Sequence, residues 1–338
     1  MRHDLLFVGS PDGLENAIVP KAGLPMAHVA ARPLARKPSL DTLRTVAENA
    51  VGVAQALRVV AAFRPDCVVA TGGYVTFPVV LAARALRPLR GGRPRIALLE
   101  PNAVAGLTNR LVAPLADEQW VAHPAGRPAT NVVVTGTPVR ASILRAVPQA
   151  EARAALGLEP ATTTIVVMGG SQGARRINDA VAALIAGGEE RGWQILHLSG
   201  ERDYDRARAA AASARMPVRV FAYLDDPAVA YAAADLVVAR AGASTLAELA
   251  ATATPALLVP YPYATDDHQA RNAEAVAAAG AARVVVDAEL DGERLASELT
   301  AALEPGAYGR LRACARALAA ADARTLIVER IEALAARG

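Results

Sequence analysis

Short runs of Val, Ile and Leu alternate along this chain with longer Ala-rich segments of helical periodicity, and this alternation restricts the fold more than any other feature. An unbroken apolar run has no polar face to turn toward water, so such a strand must be covered on both sides. A parallel sheet between two layers of helices does this. In the first half the strand candidates are Leu5–Val8, Cys67–Ala70, Ile96–Leu99, Gln119–Ala122 and Val132–Thr135. In the second half they are Thr164–Met168, Gln194–Leu198, Val218–Phe221, Leu236–Ala239, Ala256–Val259 and Arg283–Val286. Helical segments between them include Leu40–Phe63, Ile177–Arg191, Thr245–Ala251 and Gln269–Ala279. Each half therefore reads as a doubly wound α/β domain. The segment from Pro138 to Pro148 falls between the two sheets. The expected domains are residues 1–139, residues 140–306 and a helical segment 307–338 that packs back on the first.

The first half opens in an unusual way. A doubly wound sheet normally begins with a central strand, a Gly-rich turn and a helix, yet the strand DLLFVG comes at once here. Either DLLFVG is that first strand, or a first βα unit is absent. In the second case two strands would stand about 9–10 Å apart, twice the usual spacing. The sheet would then close with shifted pairing or loosen.

Composition narrows the function classes. The 338 residues carry a net charge of +3, and the arginines are spread out rather than interleaved with aromatics, so nucleic acid is not an expected partner. Two clusters, Arg32, Arg36 and Lys37, then Arg84, Arg87, Arg90, Arg93 and Arg95, suit either a solvated loop or an anionic lipid surface. Cys67 and Cys314 have no partner at metal or redox spacing. The five histidines form neither HxH nor HExxH, so no metal and no cofactor is expected. The first residues offer only Leu5–Val8 as an apolar run, too short for a secretory signal. The uncharged stretches Cys67–Ala83 and Leu249–Thr265 are interrupted by proline and are too short to span a bilayer. The expectation is a cytoplasmic protein, peripheral at most.

Three runs in the second half carry chemistry. In IVVMGGSQGARRIND (Ile165–Asp179) a strand meets a Gly-rich turn and a helix start, which is either a tight turn or an anion cradle. In VVARAGASTLAELAA (Val237–Ala251), Thr245 and Glu248 have the T-x-x-E spacing of a capping box, the reading that spacing alone favours. The alternative is that Glu248 accepts a ribose diol while Arg240, leaving the strand at the same edge, meets phosphate. In YATDDHQARNAEA (Tyr263–Ala275), Asp266 or Asp267 can cap a helix, and Gln269 and Asn272 share a face with amides suited to sugar hydroxyls. In the first half ATGGYVTFPVVLAA and LLEPNAVAGLTNRL place Gly72, Gly73, Tyr74, Glu100 and Asn102 at carboxyl ends of strands, where α/β sheets bind ligands.

Taken in order, FVGSPDGLENAIVPKAGLP, TGGYVTFP, EPNAVAGLTNR, TGTPVR, GGSQGARRIN, YLDD, RAGASTLAEL and DDHQARNA resemble one family. It is the bacterial UDP-N-acetylglucosamine transferases of the MurG type, which make lipid II from lipid I in peptidoglycan synthesis. The resemblance implies a GT-B fold of two Rossmann-like domains facing a cleft, and inverting transfer of GlcNAc from UDP-GlcNAc to lipid I at the inner face of the membrane. By the matching motifs, Ser171, Gln172 and Gly173 contact the diphosphate, with Arg140 nearby. Leu224 reads uracil through its backbone, Glu248 holds the ribose, and Ala243, Ser244 and Thr245 close on the nucleotide sugar. Gln269 and Asn272 contact GlcNAc, Asn102 reaches the donor, and Tyr74 lies on the acceptor side. The family's His-Glu-Gln-Asn is Leu99-Glu100-Pro101-Asn102 here, and its Gly-Asn-Pro-Val-Arg is Gly136-Thr137-Pro138-Val139-Arg140. Its opening strand and Gly-Gly-Thr-Gly-Gly-His loop, which carries the usual general base, have no counterpart. Glu100 is the remaining candidate for that role. The same motifs would also serve another GT-B enzyme, such as an epimerase or glycolipid synthase, or a donor-binding protein without activity.

Overall fold

The computed structural model describes residues 3–33, 40–122, 130–169, 174–189, 191–318 and 322–337. The chain divides into two compact units, Gly136–Arg324 and the combination of Met1–Thr135 with Thr325–Gly338. The division falls just before the expected boundary. It also splits the 307–338 segment, whose last helix belongs to the first unit.

The first unit runs β1 (Phe7–Gly9), α1 (Glu15–Ile18), β2 (Met26–His28), α2 (Leu40–Phe63), β3 (Cys67–Ala70), α3 (Thr76–Leu86), β4 (Arg95–Glu100), α4 (Leu107–Val112), β5 (Glu118–Val121) and β6 (Val132–Val134). The second runs α5 (Gln149–Ala155), β7 (Thr163–Met168), α6 (Arg175–Ala186), β8 (Trp193–Leu198), α7 (Tyr204–Ala212), β9 (Val218–Phe221), α8 (Pro227–Ala233), β10 (Leu236–Ala239), α9 (Ala243–Ala251), β11 (Ala256–Leu258), α10 (His268–Ala278), β12 (Ala282–Val284), α11 (Gly292–Leu303) and α12 (Pro305–Leu318). The closing helix is α13 (Ala323–Ala336).

In the second unit six parallel strands lie in the order β12-β11-β10-β7-β8-β9. The chain builds outward from β7 through β8 to β9, then crosses back to β10 on the other flank of β7. In register, Leu236 to Ala239 of β10 pair with Ile165 to Met168 of β7. This is the 3-2-1-4-5-6 order of a dinucleotide-binding sheet, with its switch point between β7 and β10. Every residue of β10 is buried, as an apolar run covered on both faces requires. One face packs Val166, Val237 and Leu258 with Tyr231, Leu246 and Leu249. The other packs Ile165, Val167 and Val238 with Ile177, Val181 and Leu184 of α6, spaced to face the sheet.

In the first unit β3-β4-β5-β6 form one parallel sheet and β1-β2 a second. Val8 of β1 and Val68 of β3 pack against the same cluster of Val29, Ala56, Val60, Val79 and Ala82, so one core serves both sheets. Among the described residues β1 pairs with β2 alone and β3 with β4 alone; the two strands have not closed on each other. β2 was not apparent from sequence, because three half-exposed residues show neither an apolar run nor alternation. Arg44–Phe63 is, among the described residues, the helical segment long and apolar enough to cross a membrane. Its stripe of Asn49, Gly52, Ala56 and Val60 is buried in this unit. At Gly52 a β-carbon would collide with the Ala30 carbonyl oxygen, so the close approach of that chain requires glycine.

Most of the basic cluster before β4 is paired within this unit, while Arg84 is exposed. Asp117 accepts from Arg87 Nη2 at 2.6 Å, Arg95 Nη1 at 3.2 Å and the Ile96 N–H at 2.8 Å. Arg93 pairs with Asp66, and Arg90 donates to the Pro65 carbonyl. Arg32 pairs with Glu48, while Arg36 and Lys37 lie outside the described residues.

The closing helix is fixed by a buried carboxylate. Ile327 and Leu334 of α13 pack with Ala97, Leu99 and Trp120, and Glu118, 4% exposed, accepts from Arg330, Arg337 and the Trp120 indole. Burial acts to raise the Glu118 pKa. The hydrogen bonds from Arg330 and Trp120 and the charges of Arg330 and Arg337 outweigh burial and hold it below its ordinary 4.5. A folded pKa below the unfolded one means that this stabilisation is complete above about pH 4.5 and is lost as pH falls through the lower folded value. Glu118→Gln should therefore cost about 3–5 kcal/mol at neutral pH, by leaving Arg330 without its partner. Urea unfolding read by Trp fluorescence should show this loss, together with a flatter acid limb than wild type.

Candidate functional site

The two Gly-rich runs of the second unit flank its switch point. β7 ends at Met168 and leads into the GGSQG turn, of which Gly170, Ser171, Gln172 and Gly173 lie outside the described residues. β10 ends at Ala239 and leads through Arg240, Ala241 and Gly242 into α9. Parallel strands point their carboxyl ends the same way, so β7 and β10 end at one edge.

The helix α9 starts after Gly242, whose extended backbone caps nothing with a side chain. Thr245 lies inside the helix, so the capping-box reading of Thr245 and Glu248 fails. Ala243, Ser244 and Thr245 form the first turn, and their N–H groups carry the positive end of the helix dipole. The Glu248 carboxylate instead accepts from Arg140 Nη2 at 3.0 Å on Oε1 and from the Tyr231 hydroxyl at 2.9 Å on Oε2. The Glu248 hydrogen bond and charge raise the Arg140 pKa despite partial burial.

Leu224 follows β9 and packs on the core, one turn before α8. Asp226 caps α8 by accepting the Ala228 N–H at 3.2 Å, and it pairs with Arg145. On the first helix after β7, Asn178 of α6 donates to the Ser199 carbonyl at 2.9 Å and to Asp203 at 2.8 Å. Its Oδ1 therefore accepts from His197 Nε2 at 2.8 Å. Burial pushes the His197 pKa down to about 4, so the ring is neutral at physiological pH. Sequence reading missed Tyr231 as the partner of Glu248, because the two lie on different helices and no local motif announces the pair.

Several expected contacts are rearranged. Arg240 is engaged within its own unit. Its Nη1 donates to Asp287 at 2.5 Å and to the carbonyls of Val259 and Pro260, and its guanidinium lies over the Tyr261 ring. Asn272 is fully buried and donates to the Ala241 carbonyl at 3.1 Å, which helps shape the turn before α9. Gln269 is half-buried and accepts the Tyr261 N–H at 3.0 Å on Oε1. Asp266 precedes Asp267, which stands at the N-cap position of α10 with no side-chain capping bond. Both adopt left-handed backbone, at φ 56° and 50°, a strained turn of the kind found beside ligand sites.

At the strand ends of the first unit, Gly72 and Gly73 take φ 90° and 79° and present Tyr74, which is exposed. Glu100 is buried. Its Oε1 accepts from the Asn102 N–H at 2.9 Å and Asn102 Nδ2 at 3.0 Å, and its Oε2 from the Gly106 N–H at 3.3 Å and Asn109 Nδ2 at 2.7 Å. With four donors on its two oxygens, Glu100 holds the 101–106 loop. The Asn109 Oδ1 is buried without a hydrogen-bond partner, beside Gly72. Cys67 is inert as a nucleophile: burial, then the charges of Asp117, Glu118 and Asp66, push its thiol up to about 12. Among the described residues no group of three His, Cys, Asp or Glu can hold a metal.

Residues 164–329 match the glycosyltransferase family 28 C-terminal domain and residues 2–120 the N-terminal domain of that family. A UDP-N-acetylglucosamine–N-acetylmuramyl-(pentapeptide) pyrophosphoryl-undecaprenol N-acetylglucosamine transferase of Geotalea uraniireducens is 36% identical over 97% of this chain and 89% of its own length. The protein of the same name in Desulforudis audaxviator is 38% identical over 99% of this chain and 91% of its own. The crystal structure of Acinetobacter baumannii MurG superposes with a TM-score of 0.79 at 28% identity, over 96% of this chain and 90% of that one.

The placement of Arg240 yields a direct test. If it braces the 259–261 turn against Asp287, Arg240→Ala should lower the stability of the ligand-free protein by about 2–3 kcal/mol, the worth of a lost charged hydrogen bond. A urea midpoint equal to wild type would return Arg240 to the role of a free phosphate ligand.

Proposed function

Since this chain belongs to glycosyltransferase family 28, among the transferases that move GlcNAc onto N-acetylmuramyl-(pentapeptide) pyrophosphoryl-undecaprenol, we propose that it catalyses that transfer from UDP-GlcNAc. The product is lipid II, and the pathway is peptidoglycan synthesis. The observation that carries this reading is the coincidence of the family's donor motifs with the switch point of a 3-2-1-4-5-6 sheet. A generic Rossmann protein would share the order but not the motifs.

In this reading the second unit takes the donor. The backbone at Leu224 reads uracil, and Glu248 accepts the two ribose hydroxyls. The first turn of α9 and the GGSQG turn with Ser171, Gln172 and Gly173 face the diphosphate, with Arg140 beside them. Gln269 meets the sugar, and Asn272 and Arg240 support from behind by fixing the turns on either side. The acceptor's sugar hydroxyl attacks the anomeric carbon, the bond from that carbon to the diphosphate oxygen breaks, and the hydroxyl proton passes to a base. UDP leaves with the electron pair. Negative charge grows on the diphosphate in the transition state, and oriented N–H groups and the Arg140 guanidinium stabilise it more than the ground state.

In the first unit Tyr74 belongs to the acceptor side, and Glu100 positions Asn102 through two hydrogen bonds. The acceptor is lipid-linked, so this unit works against the inner face of the cell membrane as a peripheral protein. With most of the Arg84–Arg95 cluster paired internally, the support for that contact lies in exposed apolar side chains such as Leu14, Leu89 and Leu111.

The test is incubation of the whole protein with UDP-GlcNAc and a soluble lipid I analogue. Mass spectrometry should show the acceptor gaining one N-acetylhexosamine as UDP is released in equal amount, with or without a chelator. Donor epimerisation with no acceptor product, or donor binding without turnover, would overturn the proposal in favour of another GT-B enzyme or an inactive donor-binding protein.

A further inference from the structure

The partners of Glu248 differ in a way that separates structure from exchange. Tyr231, on α8, is 3% exposed and reaches Oε2 from within the core. The Arg140 side chain is 55% exposed and reaches Oε1 from the solvent side, while the Glu248 side chain between them is 13% exposed. Burial, then the negative charge of Glu248, raise the Tyr231 pKa, so the phenol stays protonated and acts as a donor.

A glutamate side chain has three rotatable bonds, and a carboxylate that is to accept a vicinal diol must present both oxygens in one plane. Fixing that plane before the ligand arrives removes an ordering cost from binding. Arg140 does not fix this plane, because its side chain is half-exposed and meets Oε1 from the solvent side. Tyr231 can. Its ring is locked in the cluster with Leu246 and Leu249 of α9, and its hydroxyl takes one lone pair of Oε2 while leaving the other. It also stands on the helix that begins two residues after Asp225, so the segment at Leu224 and the carboxylate of Glu248 share one rigid support.

We infer that Tyr231 is a positioning residue of the donor site: its hydroxyl fixes the Glu248 carboxylate from behind, so that the front of that carboxylate is set to discriminate a ribose diol from a single hydroxyl. This rests on the reading of Glu248 as the ribose acceptor. A buried tyrosine with only a packing role also needs a hydrogen-bond acceptor, so stability alone cannot tell the two apart.

The experiment is calorimetric titration of the full chain with UDP and with 2′-deoxy-UDP, for wild type, Tyr231→Phe and Glu248→Gln, with thermal unfolding of each. Wild type should prefer UDP. Tyr231→Phe should bind UDP about tenfold more weakly, the scale of a lost hydrogen bond to a charged group, and should lose most of its preference over 2′-deoxy-UDP. If Tyr231→Phe keeps the wild-type ratio of the two affinities, whatever happens to its melting temperature, Tyr231 only packs and the inference is wrong. A Glu248→Gln protein that binds both ligands like wild type, or a wild type that does not distinguish them, would instead remove the ribose reading itself.

Discussion

Parallel pairing is the constraint from which the rest of this molecule follows. When every strand of a sheet runs the same way, each connection must return over a face, and each turn that leaves a strand emerges at the same edge. In the second unit this brings the turns after β7, β9, β10 and β11 to one edge although they are spread over about a hundred residues of sequence. The crossover from β9 back to β10 then opens a crevice beside β7, because neighbouring turns there diverge to opposite faces. Sheet order thus decides where a nucleotide can lie before any side chain is considered.

Side chains then set what the edge recognises, and the structure divides them into two kinds. Glu248, Gln269 and the first turn of α9 are, in the proposed reading, the groups a ligand meets. Arg240, Asn272, Asn178 and Glu100 are polar residues turned inward to brace turns, each satisfied by backbone or by an opposite charge. Burying a polar group costs free energy unless it is hydrogen-bonded, so these braces are specific: each fits one turn conformation. Tyr231 lies between the two kinds, an inward residue whose acceptor is the Glu248 carboxylate.

What was legible in the sequence follows from the range of the interactions. β7, β8 and β10 could be read because burial on both faces forces a continuous apolar run, which is a local signature. β2 could not, since three residues at a sheet margin carry no such pattern. The donor motifs were visible as Gly-rich turns after strands, but the direction of individual side chains was not. Thr245 and Glu248 have the spacing of a capping box, yet the helix begins at Ala243, and Glu248 turns to Tyr231, seventeen residues earlier, and to Arg140. Arg240 looked available for phosphate because its partner Asp287 is distant in sequence and on another loop. Local pattern reports burial; it does not report which distant charge a polar side chain meets.

The central claim is that the donor lies at the carboxyl edge of the second unit's sheet. Hydrogen–deuterium exchange of the whole protein with and without UDP-GlcNAc tests it most directly. The account predicts that the donor slows exchange in the segments 222–232 and 240–249, with smaller effects near 265–272. Protection confined to residues 67–111 of the first unit, with the second unit unchanged, would contradict it.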